Sequence, residues 1–170
     1  MIYALVHYPG IDTVRINQLR KEYDPEAGLI EPHVTIVFPL PDSVGEQALV
    51  SHIDRVLSGW RPFPIRLKGL MQSADNYLFL LLAEGSTDMT RLHDQLYTAV
   101  LAPYLRADLA FVPHVTLGAF GEKADGFRRA LSEAERLNLD YESVVDRLDL
   151  LKINDDRSRI VWSKAFRLCR

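Results

Sequence analysis

The chain of 170 residues has a single cysteine and no long apolar run, and both features narrow the class of protein. Cys169 has no partner for an internal disulfide, which favours a reducing compartment. No apolar stretch approaches the roughly eighteen residues that a membrane-spanning helix needs. Residues 2–6 are apolar, but no basic segment precedes them and Pro9 and Gly10 follow at once, unlike a signal peptide. The sequence therefore predicts a cytoplasmic protein without a membrane segment.

The sequence also lacks a strong excess of charge of either sign. The formal net charge is −3, with 25% charged and 48% hydrophobic residues, as in an ordinary globular protein. A long nucleic-acid footprint needs clustered Lys and Arg to neutralise phosphates, so a small or short ligand is favoured over a long duplex. There is also no Gly-rich loop ending in Gly-Lys-Ser or Gly-Lys-Thr, the usual cradle for nucleotide phosphates.

What the sequence does contain is one tetrapeptide, Pro-His-Val-Thr, at residues 32–35 and again at residues 113–116. The two histidines, His33 and His114, lie 81 positions apart, nearly half the chain length. The flanking patterns repeat as well, since each half is predicted to run strand, helix, motif strand, helix, strand. Phe63 and Val144 each lie 30 positions after the histidine of their half, near the predicted start of the last strand. The sequence therefore predicts a duplication.

The repeat predicts one α+β domain over residues 1–170, with two lobes at approximately residues 1–75 and 76–170 and no linker between them. The predicted helix N-caps are Asp12, Ser43 (in a capping box with Glu46), Ser86 and Asp125. The predicted strands cover residues 2–8, 32–39, 63–71, 77–83 and 113–120, and residues 142–153 and 159–168 are predicted to form a closing hairpin.

Strand geometry gives the motif two faces, because successive side chains alternate across a sheet. His33 and Thr35 then share one face, His114 and Thr116 share the equivalent face, and the valines between them point into a core. Gly118 is predicted to lie on the His114 face, where it would let a ligand approach the backbone.

Two His/Thr pairs that face one cleft have the parts for cleaving a phosphodiester. A neutral imidazole can take a proton from the attacking oxygen while a protonated one gives a proton to the leaving oxygen. The hydroxyls of Thr35 and Thr116 can donate to the phosphate oxygens, where charge builds in the transition state. No metal ion is needed for this chemistry.

Other readings of the polar residues are weaker. A single strand or helix histidine is usually structural, and His7, His52 and His93 receive that interpretation, the last two on helix surfaces. Lys123, Asp125 and Gly126 match the Lys-x-Asp-Gly pattern of ATP-dependent ligases, but a turn with Asp125 as a helix N-cap is favoured. A metal site is not predicted, because His33 and His114 each lack a second ligand at suitable spacing in their own strand.

The two motifs, His33-Val34-Thr35-Ile36 and His114-Val115-Thr116-Leu117, resemble the paired His-x-Thr-x motifs of the 2H phosphoesterase superfamily. This superfamily includes the 2′-5′ RNA ligase-like proteins and the cyclic nucleotide phosphodiesterases. The likeness covers essentially the whole chain, including the first and last predicted strands.

The resemblance implies a duplicated, two-lobed α+β fold with pseudo-twofold symmetry, in which mainly antiparallel sheets line a central cleft and helices lie outside. It implies metal-independent hydrolysis, without a cofactor, of 2′,3′-cyclic phosphates or 2′-5′ linkages in nucleotides or short RNA. His33 and His114 would be the catalytic acid and base, and Thr35 and Thr116 would bind the phosphate. A monomer in RNA processing is expected.

A non-catalytic protein that binds RNA or a nucleotide in the same cleft is the alternative. The sequence leaves open the physiological substrate, which histidine is the acid, and whether the 2′ or the 3′ oxygen leaves. Several side chains are candidates for holding a base, although packing in the core or sheet is the more common role of each: Tyr3, Tyr8, Phe38, Lys68, Tyr77, Phe120 and Trp162.

Overall fold

The structure is a computed structural model that describes residues 1–122 and 124–169. Eight strands are described: β1 (Ile2–His7), β2 (Val34–Pro41), β3 (Phe63–Gln72), β4 (Tyr77–Glu84), β5 (His114–Ala119), β6 (Asp140–Val145), β7 (Arg147–Ile153) and β8 (Ile160–Arg167). The α-helices are α1 (Val14–Tyr23), α2 (Glu46–Leu57), α3 (Ser86–Leu96) and α4 (Ala124–Leu137), with short 3₁₀ turns at Asp42–Val44 and Ala99–Tyr104. None of the helices in the described ranges has the length and apolar character to cross a bilayer.

All eight strands form one antiparallel sheet in the order β6-β3-β4-β5-β2-β1-β7-β8, curled into a half-barrel. The two motif strands, β2 and β5, are neighbours at the centre, where Val34 pairs with Val115. They overlap only near their N-terminal ends, so this junction joins two four-stranded lobes. The predicted α+β architecture with pseudo-twofold symmetry is confirmed, and the structure adds that the sheet is continuous across the cleft.

The two faces of the sheet have different roles. The buried apolar residues of all four helices belong to one hydrophobic cluster with inward-facing strand residues such as Leu5, Ile36 and Leu80, so the helices cover this convex face. The opposite, concave face carries a smaller apolar cluster of Val6, Ile30, Leu151 and Ile153. Both faces of β1 are therefore apolar and largely buried, as its sequence of consecutive apolar residues requires.

Each lobe is built from both halves of the chain. β3 follows the first motif in the sequence but pairs with β4 in the second lobe, and β7 returns to pair with β1 in the first. The first helix of each half also packs on the motif strand of the other half, α1 on β5 and α3 on β2. Neither lobe is complete without elements of the other half of the chain. This exchange of elements holds the two motif strands next to each other.

The predicted strand over residues 142–153 is wrong in one respect, because it is two strands interrupted at Asp146. β6 pairs with β3 at one edge of the sheet, and β7 pairs with β1 in the other lobe. Val144 therefore lies near the end of β6, whereas the strand that occupies the place equivalent to β3 is β7. A continuous run of strand-forming residues hides this crossing, since the pattern marks strands but not partners.

The predicted helix N-caps are displaced. Helix α1 begins after Thr13, although the Asp12 carboxylate accepts a hydrogen bond from the Val14 N–H at 3.0 Å. Gly45 and Gly85 cap α2 and α3, so the Ser43–Glu46 capping box is absent and Ser86 is the first helical residue. Asp125 lies inside the first turn of α4. Gly85 has φ +79°, and a Cβ there would lie 2.6 Å from the Pro64 carbonyl oxygen, which is why glycine outcompetes serine as the cap.

Candidate active site

Both motifs follow the predicted alternation for their first four residues. His33, Thr35, His114 and Thr116 are half-buried on the concave face, whereas Val34, Ile36, Val115 and Leu117 are buried in the core. His33 and Thr35 line a small pocket of about 60 Å³ with apolar residues of β1 and β7.

The sheet register brings the two His/Thr pairs together. Because Val34 lies opposite Val115, extending the antiparallel register by one residue on each side puts His33 opposite Thr116 and Thr35 opposite His114. Directly opposed Cβ atoms lie about 5 Å apart and diagonal ones roughly 7–8 Å apart. The four side chains thus form a square with histidines at two diagonal corners and threonines at the other two. We call this arrangement the His/Thr square.

Each imidazole is oriented by the same backbone contact. Nδ1 of His33 lies 2.8 Å from the Glu31 carbonyl oxygen, and Nδ1 of His114 lies 2.6 Å from the Val112 carbonyl oxygen. A carbonyl oxygen only accepts, so Nδ1 carries the proton and donates in both rings. Nε2 of each ring is then free to accept a proton when neutral and to donate one when protonated.

His114 lies against an aromatic ring. The Phe79 ring stacks on the imidazole with ring centroids 3.4 Å apart and planes 18° apart. The pKa of His114 is lowered to about 4, chiefly by burial and to a smaller extent by the nearby His33, while the Val112 carbonyl acts in the opposite direction. The mutual effect of the two imidazoles makes it costly to protonate both in the free protein.

His33 has a different environment. The edge of the Tyr8 ring faces it, with ring centroids 6.3 Å apart. Burial lowers the pKa of His33, the Glu31 carbonyl raises it, and the Arg20 guanidinium adds to the lowering. Both imidazoles are therefore neutral at pH 7 in the free protein.

Arg20 holds the segment that carries His33. It is 1% exposed, its Nε donates to the Asp24 carboxylate at 2.8 Å, and its Nη2 donates to the Ile30 carbonyl at 2.7 Å. Ile30 precedes Glu31, whose carbonyl orients the His33 ring. Nη1 of Arg20 has no hydrogen-bond partner among the described residues. A buried charge without a partner costs several kcal/mol. The contacts with the Asp24 carboxylate and the Ile30 carbonyl are therefore needed to keep this guanidinium buried.

The prediction for Gly118 is wrong. A Cβ at this position would lie 2.8 Å from Cβ of Tyr23 and 2.7 Å from Cζ of Phe120, so Gly118 faces the core and permits close packing of α1. The cause is a register shift after Phe79–Thr116 in the β4–β5 ladder. The first motif strand has the same feature, since Ile36 and the adjacent Val37 are both buried. Strand parity thus holds for three residues after each histidine and fails at the fourth.

The candidates for holding a base fall into two groups. Tyr3 and Phe120 belong to the convex core, and Trp162 and the Phe38 ring are half-buried. Tyr8, Lys68 and Tyr77 alternate with core residues on their strands and lie on the concave face; Tyr77 is 39% exposed beside Phe79. This second group lies on the same face of the sheet as the His/Thr square.

The remaining histidines have structural contacts. Nδ1 of His7 donates to the Arg147 carbonyl at 2.9 Å, His52 contacts the Leu96 carbonyl at 2.8 Å, and His93 stacks on Phe111. All three are buried, so the placement of His52 and His93 on helix surfaces is wrong. Lys123 of the ligase-like pattern lies outside the described residues. Within the described ranges, no group of three or more His, Cys, Asp or Glu side chains is arranged as a metal site.

Comparison with known proteins identifies the family of this chain. The model of the 2′-5′ RNA ligase superfamily matches residues 9–157, so the chain belongs to this family of 2H phosphoesterases. A predicted phosphoesterase of Bacillus licheniformis is 30% identical over 165 residues, covering 95% of this chain and 96% of the relative. A second predicted phosphoesterase, from Halalkalibacterium halodurans, is 34% identical over 161 residues, covering 89% and 88%.

Solved structures share the fold at low sequence identity. Escherichia coli LigT in complex with 3′-AMP superposes with a TM-score of 0.59 at 16% identity, covering 98% of this chain and 94% of LigT. A crystal structure described as a phosphoesterase gives a TM-score of 0.61 at 16% identity, covering 99% of both chains. At these identities the likeness establishes the fold.

Sequence reasoning missed three parts of the site. The two backbone carbonyls that orient the histidines carry no sequence signal, because any residue supplies one. Phe79 lies in an apolar strand with nothing to distinguish it from a core residue. Arg20 lies four residues before Asp24, and this spacing was the only sign of an ion pair in the sequence. Such pairs on helices are more often exposed to solvent, so the spacing did not indicate a buried arginine.

Proposed function

We propose that the protein is a metal-independent phosphodiesterase that opens 2′,3′-cyclic phosphates, or cleaves 2′-5′ linkages, of nucleotides or short RNA. The observation that carries this proposal is the His/Thr square, in which two imidazoles with free Nε2 atoms lie diagonally across from each other. A phosphate at the centre of the square is within reach of both imidazoles and both hydroxyls.

The reaction on a cyclic phosphate follows from this arrangement. Nε2 of one neutral histidine takes a proton from water as its oxygen attacks phosphorus, and one ring P–O bond breaks. Nε2–H of the other, protonated histidine delivers its proton to the departing ribose oxygen. One proton enters and one leaves the protein, so a single turnover exchanges the protonation states of the pair. The Nδ1 contacts keep both rings in the required tautomer throughout.

The threonine hydroxyls are proposed to donate to the non-bridging oxygens. Thr35→Val and Thr116→Val remove a donor while keeping the shape of the side chain. We expect each to lower kcat/KM about tenfold to a hundredfold, at or somewhat below the loss for one oxyanion donor. Steady-state kinetics on a 2′,3′-cyclic nucleotide measures this, with Thr35→Ser and Thr116→Ser as matched controls that keep the hydroxyl. Equal activity of the Val and Ser variants would show that the threonine hydroxyls do not contribute to catalysis.

The pH dependence follows from the two lowered pKa values. The base must be neutral, so the rate falls as pH drops through the lower pKa of the pair. The acid must be protonated, so the rate falls as pH rises through the higher pKa. Burial places the pKa of His114 at about 4 and that of His33 below its usual value near 6.5. We therefore expect a bell-shaped profile of kcat/KM with its maximum below pH 6.5.

The maximum of the kcat profile is expected at a higher pH than the maximum of kcat/KM, because a bound phosphate anion stabilises an imidazolium in the complex. Initial rates from pH 3.5 to 9, fitted separately for the two parameters, measure both effects. A maximum of kcat/KM above pH 7 would contradict the assignment of the two imidazoles of the square as the acid and the base.

The direct test of the function is an assay of purified protein in excess EDTA. The substrates are 2′,3′-cyclic nucleotides, 2′-5′ dinucleotides and RNA ending in a cyclic phosphate. The proposal requires turnover of at least one of them at a rate that chelator does not change. Activity that vanishes with EDTA would contradict the metal-free mechanism. Binding of nucleotide without turnover of any of the three would favour the alternative, a non-catalytic binding protein.

The wider setting is proposed on the same basis. LigT, which shares the fold, has been crystallised with 3′-AMP and with NADP⁺, which supports a nucleotide or an RNA end as the ligand of this cleft. Cys169 is a free, exposed cysteine, which suits a reducing compartment, and we propose a cytoplasmic monomer that takes part in RNA processing.

A further inference from the structure

A second polar pocket lies on the concave face beside the His/Thr square. Its volume is about 560 Å³, and its lining includes Tyr8, Ser143, Asp146 and Asp149 together with Arg147 and Arg167. None of these residues belongs to the two motifs. The pocket has therefore not been used by the chemistry described above.

The strand register places this pocket in line with His33. His7 lies opposite Val34, so Tyr8 comes opposite His33 when the ladder is extended by one residue. Val6 lies opposite Asp149, so the same extension puts Tyr8 opposite Arg147. Arg147 is paired with Arg167 on the edge strand. His33, Tyr8, Arg147 and Arg167 thus form one row across four strands.

The row has the length of a nucleotide rather than of a single ion. Neighbouring strands lie about 4.8 Å apart, so the backbone of Arg147 lies roughly 10 Å from that of His33. The long side chains of the two arginines span the remaining distance to a ligand above the sheet. A group attached one nucleotide away from a phosphate in the His/Thr square would lie over this part of the row.

The charges of the pocket are arranged for an anion next to hydrogen-bond donors. Asp149, whose side chain is 7% exposed, accepts from Nε and Nη2 of Arg147 at 2.9 and 2.6 Å, which fixes the guanidinium in place. Arg167 is exposed, and its guanidinium makes no hydrogen bond or ion pair with any described residue. Burial raises the pKa of the Tyr8 phenol to about 12, so its hydroxyl remains a donor.

The acceptors in the pocket argue against a bare inorganic anion. The Asp146 carboxylate and the Ser143 hydroxyl line the same space, so the pocket holds acceptors as well as cationic donors. A phosphate would contact the guanidiniums and the phenol, while ribose hydroxyls or base N–H groups would satisfy Asp146 and Ser143. A nucleotide unit offers both kinds of group.

The corresponding row of the other lobe has different residues. There Leu81 lies opposite His114, in the place that Tyr8 has beside His33. On β3 of that lobe, the Arg66 guanidinium makes two hydrogen bonds to Asp140, at 2.7 and 2.8 Å, and Lys68 makes a third at 3.0 Å, so one carboxylate holds both cations. The two sides of the cleft are therefore chemically different, despite the duplication.

We propose that the pocket of Tyr8, Arg147 and Arg167 is a subsite for the nucleotide adjacent to the scissile phosphate. The preferred substrate is then an RNA end of at least two nucleotides, with the phosphate that links them held by the two arginines. The inference rests on the proposed function and deepens it by naming the substrate class.

The test compares two substrates, a mononucleoside 2′,3′-cyclic phosphate and a dinucleotide that ends in a 2′,3′-cyclic phosphate. We expect Arg167→Gln to lower the ratio of kcat/KM for the dinucleotide to that for the mononucleotide about tenfold, the size of one lost charged hydrogen bond. Arg159→Gln is the matched control, because it removes the same charge from an exposed position at the other end of the β7–β8 hairpin and should keep the wild-type ratio.

An unchanged ratio in Arg167→Gln would overturn the subsite while leaving the phosphodiesterase proposal intact. If the wild-type protein turns over neither substrate, the proposed activity on cyclic phosphates fails and calorimetry decides on the subsite. The probes are then 3′-AMP and a dinucleotide with a 3′-terminal phosphate. A selective loss of dinucleotide affinity in Arg167→Gln supports the subsite, and equal affinities of the variant and the wild type overturn it.

Discussion

Replacing either histidine of the square with alanine is expected to lower kcat/KM at least about a hundredfold, as the loss of a general acid or base does. The reason is geometric, since each imidazole presents Nε2 to the cleft while its Nδ1–H donates to a backbone carbonyl. Steady-state kinetics on a 2′,3′-cyclic nucleotide measures the loss. His33→Ala and His114→Ala should both remain folded, because the two side chains are only half-buried.

The double variant distinguishes a cooperating pair from two independent contributions. Residues that act as one unit lose nearly all of their effect on the first substitution. We therefore expect His33→Ala with His114→Ala to be little slower than the slower single variant. Multiplication of the two losses would indicate that the histidines act in separate steps or sites.

His52→Gln is the control for the loss of a histidine as such. His52 is 3% exposed and its Nε2 contacts the Leu96 carbonyl, in the helix layer on the opposite face of the sheet from the His/Thr square. We expect lower stability but an unchanged kcat/KM per folded molecule. Near-normal activity of either alanine variant at the motifs, with a normal response of this control, would contradict the paired mechanism.

The largest effect on stability is expected for Arg20→Met. The substitution leaves the carboxylate of Asp24, whose side chain is 6% exposed, without its partner and the Ile30 carbonyl without a donor. Breaking one side of a buried ion pair costs about 3–5 kcal/mol of unfolding free energy. Chemical denaturation followed by circular dichroism measures the change. Lys21→Met is the matched control, since it removes the same charge from the exposed neighbouring position and should change stability by no more than about 0.5 kcal/mol.

A second comparison separates the charge of Arg20 from its contacts. Replacing the pair together, as Arg20→Met with Asp24→Leu, removes both buried charges and should recover part of the stability lost in the single variant. The Ile30 carbonyl still loses its donor, so the orientation of His33 through Glu31 should remain impaired and kcat/KM low. A single variant as stable as the wild type would show that Arg20 does not hold the segment before His33.

Much of the fold could be predicted from the sequence because the duplicated pattern constrains it. Strand parity placed His33, Thr35, His114 and Thr116 on one face, and the structure has them there. The pairing of the strands could not be predicted in the same way. β3 and β7 each pair with a strand from the other half of the chain, and the sequence around them does not indicate that partner. The bulges after Ile36 and Leu117 were also hidden, because an added residue changes the face of a side chain without changing the composition of the strand.

The candidate site shows the same division. Side chains whose type carries chemistry, the two histidines and two threonines, stood out by their recurrence. Groups that act through their position did not stand out in the sequence. These groups are the Glu31 and Val112 carbonyls, the Phe79 ring and the buried guanidinium of Arg20. Their roles depend on which atoms come close in three dimensions, and sequence spacing does not determine that.

The central claim is that one phosphate is held between both His/Thr pairs. A crystal structure of the complex with 2′-AMP or 3′-AMP tests it most directly. The account predicts a single phosphate with Nε2 of His33, Nε2 of His114 and both threonine hydroxyls within hydrogen-bond distance of its oxygens. A phosphate bound by only one of the pairs, or bound away from the motifs, would contradict it.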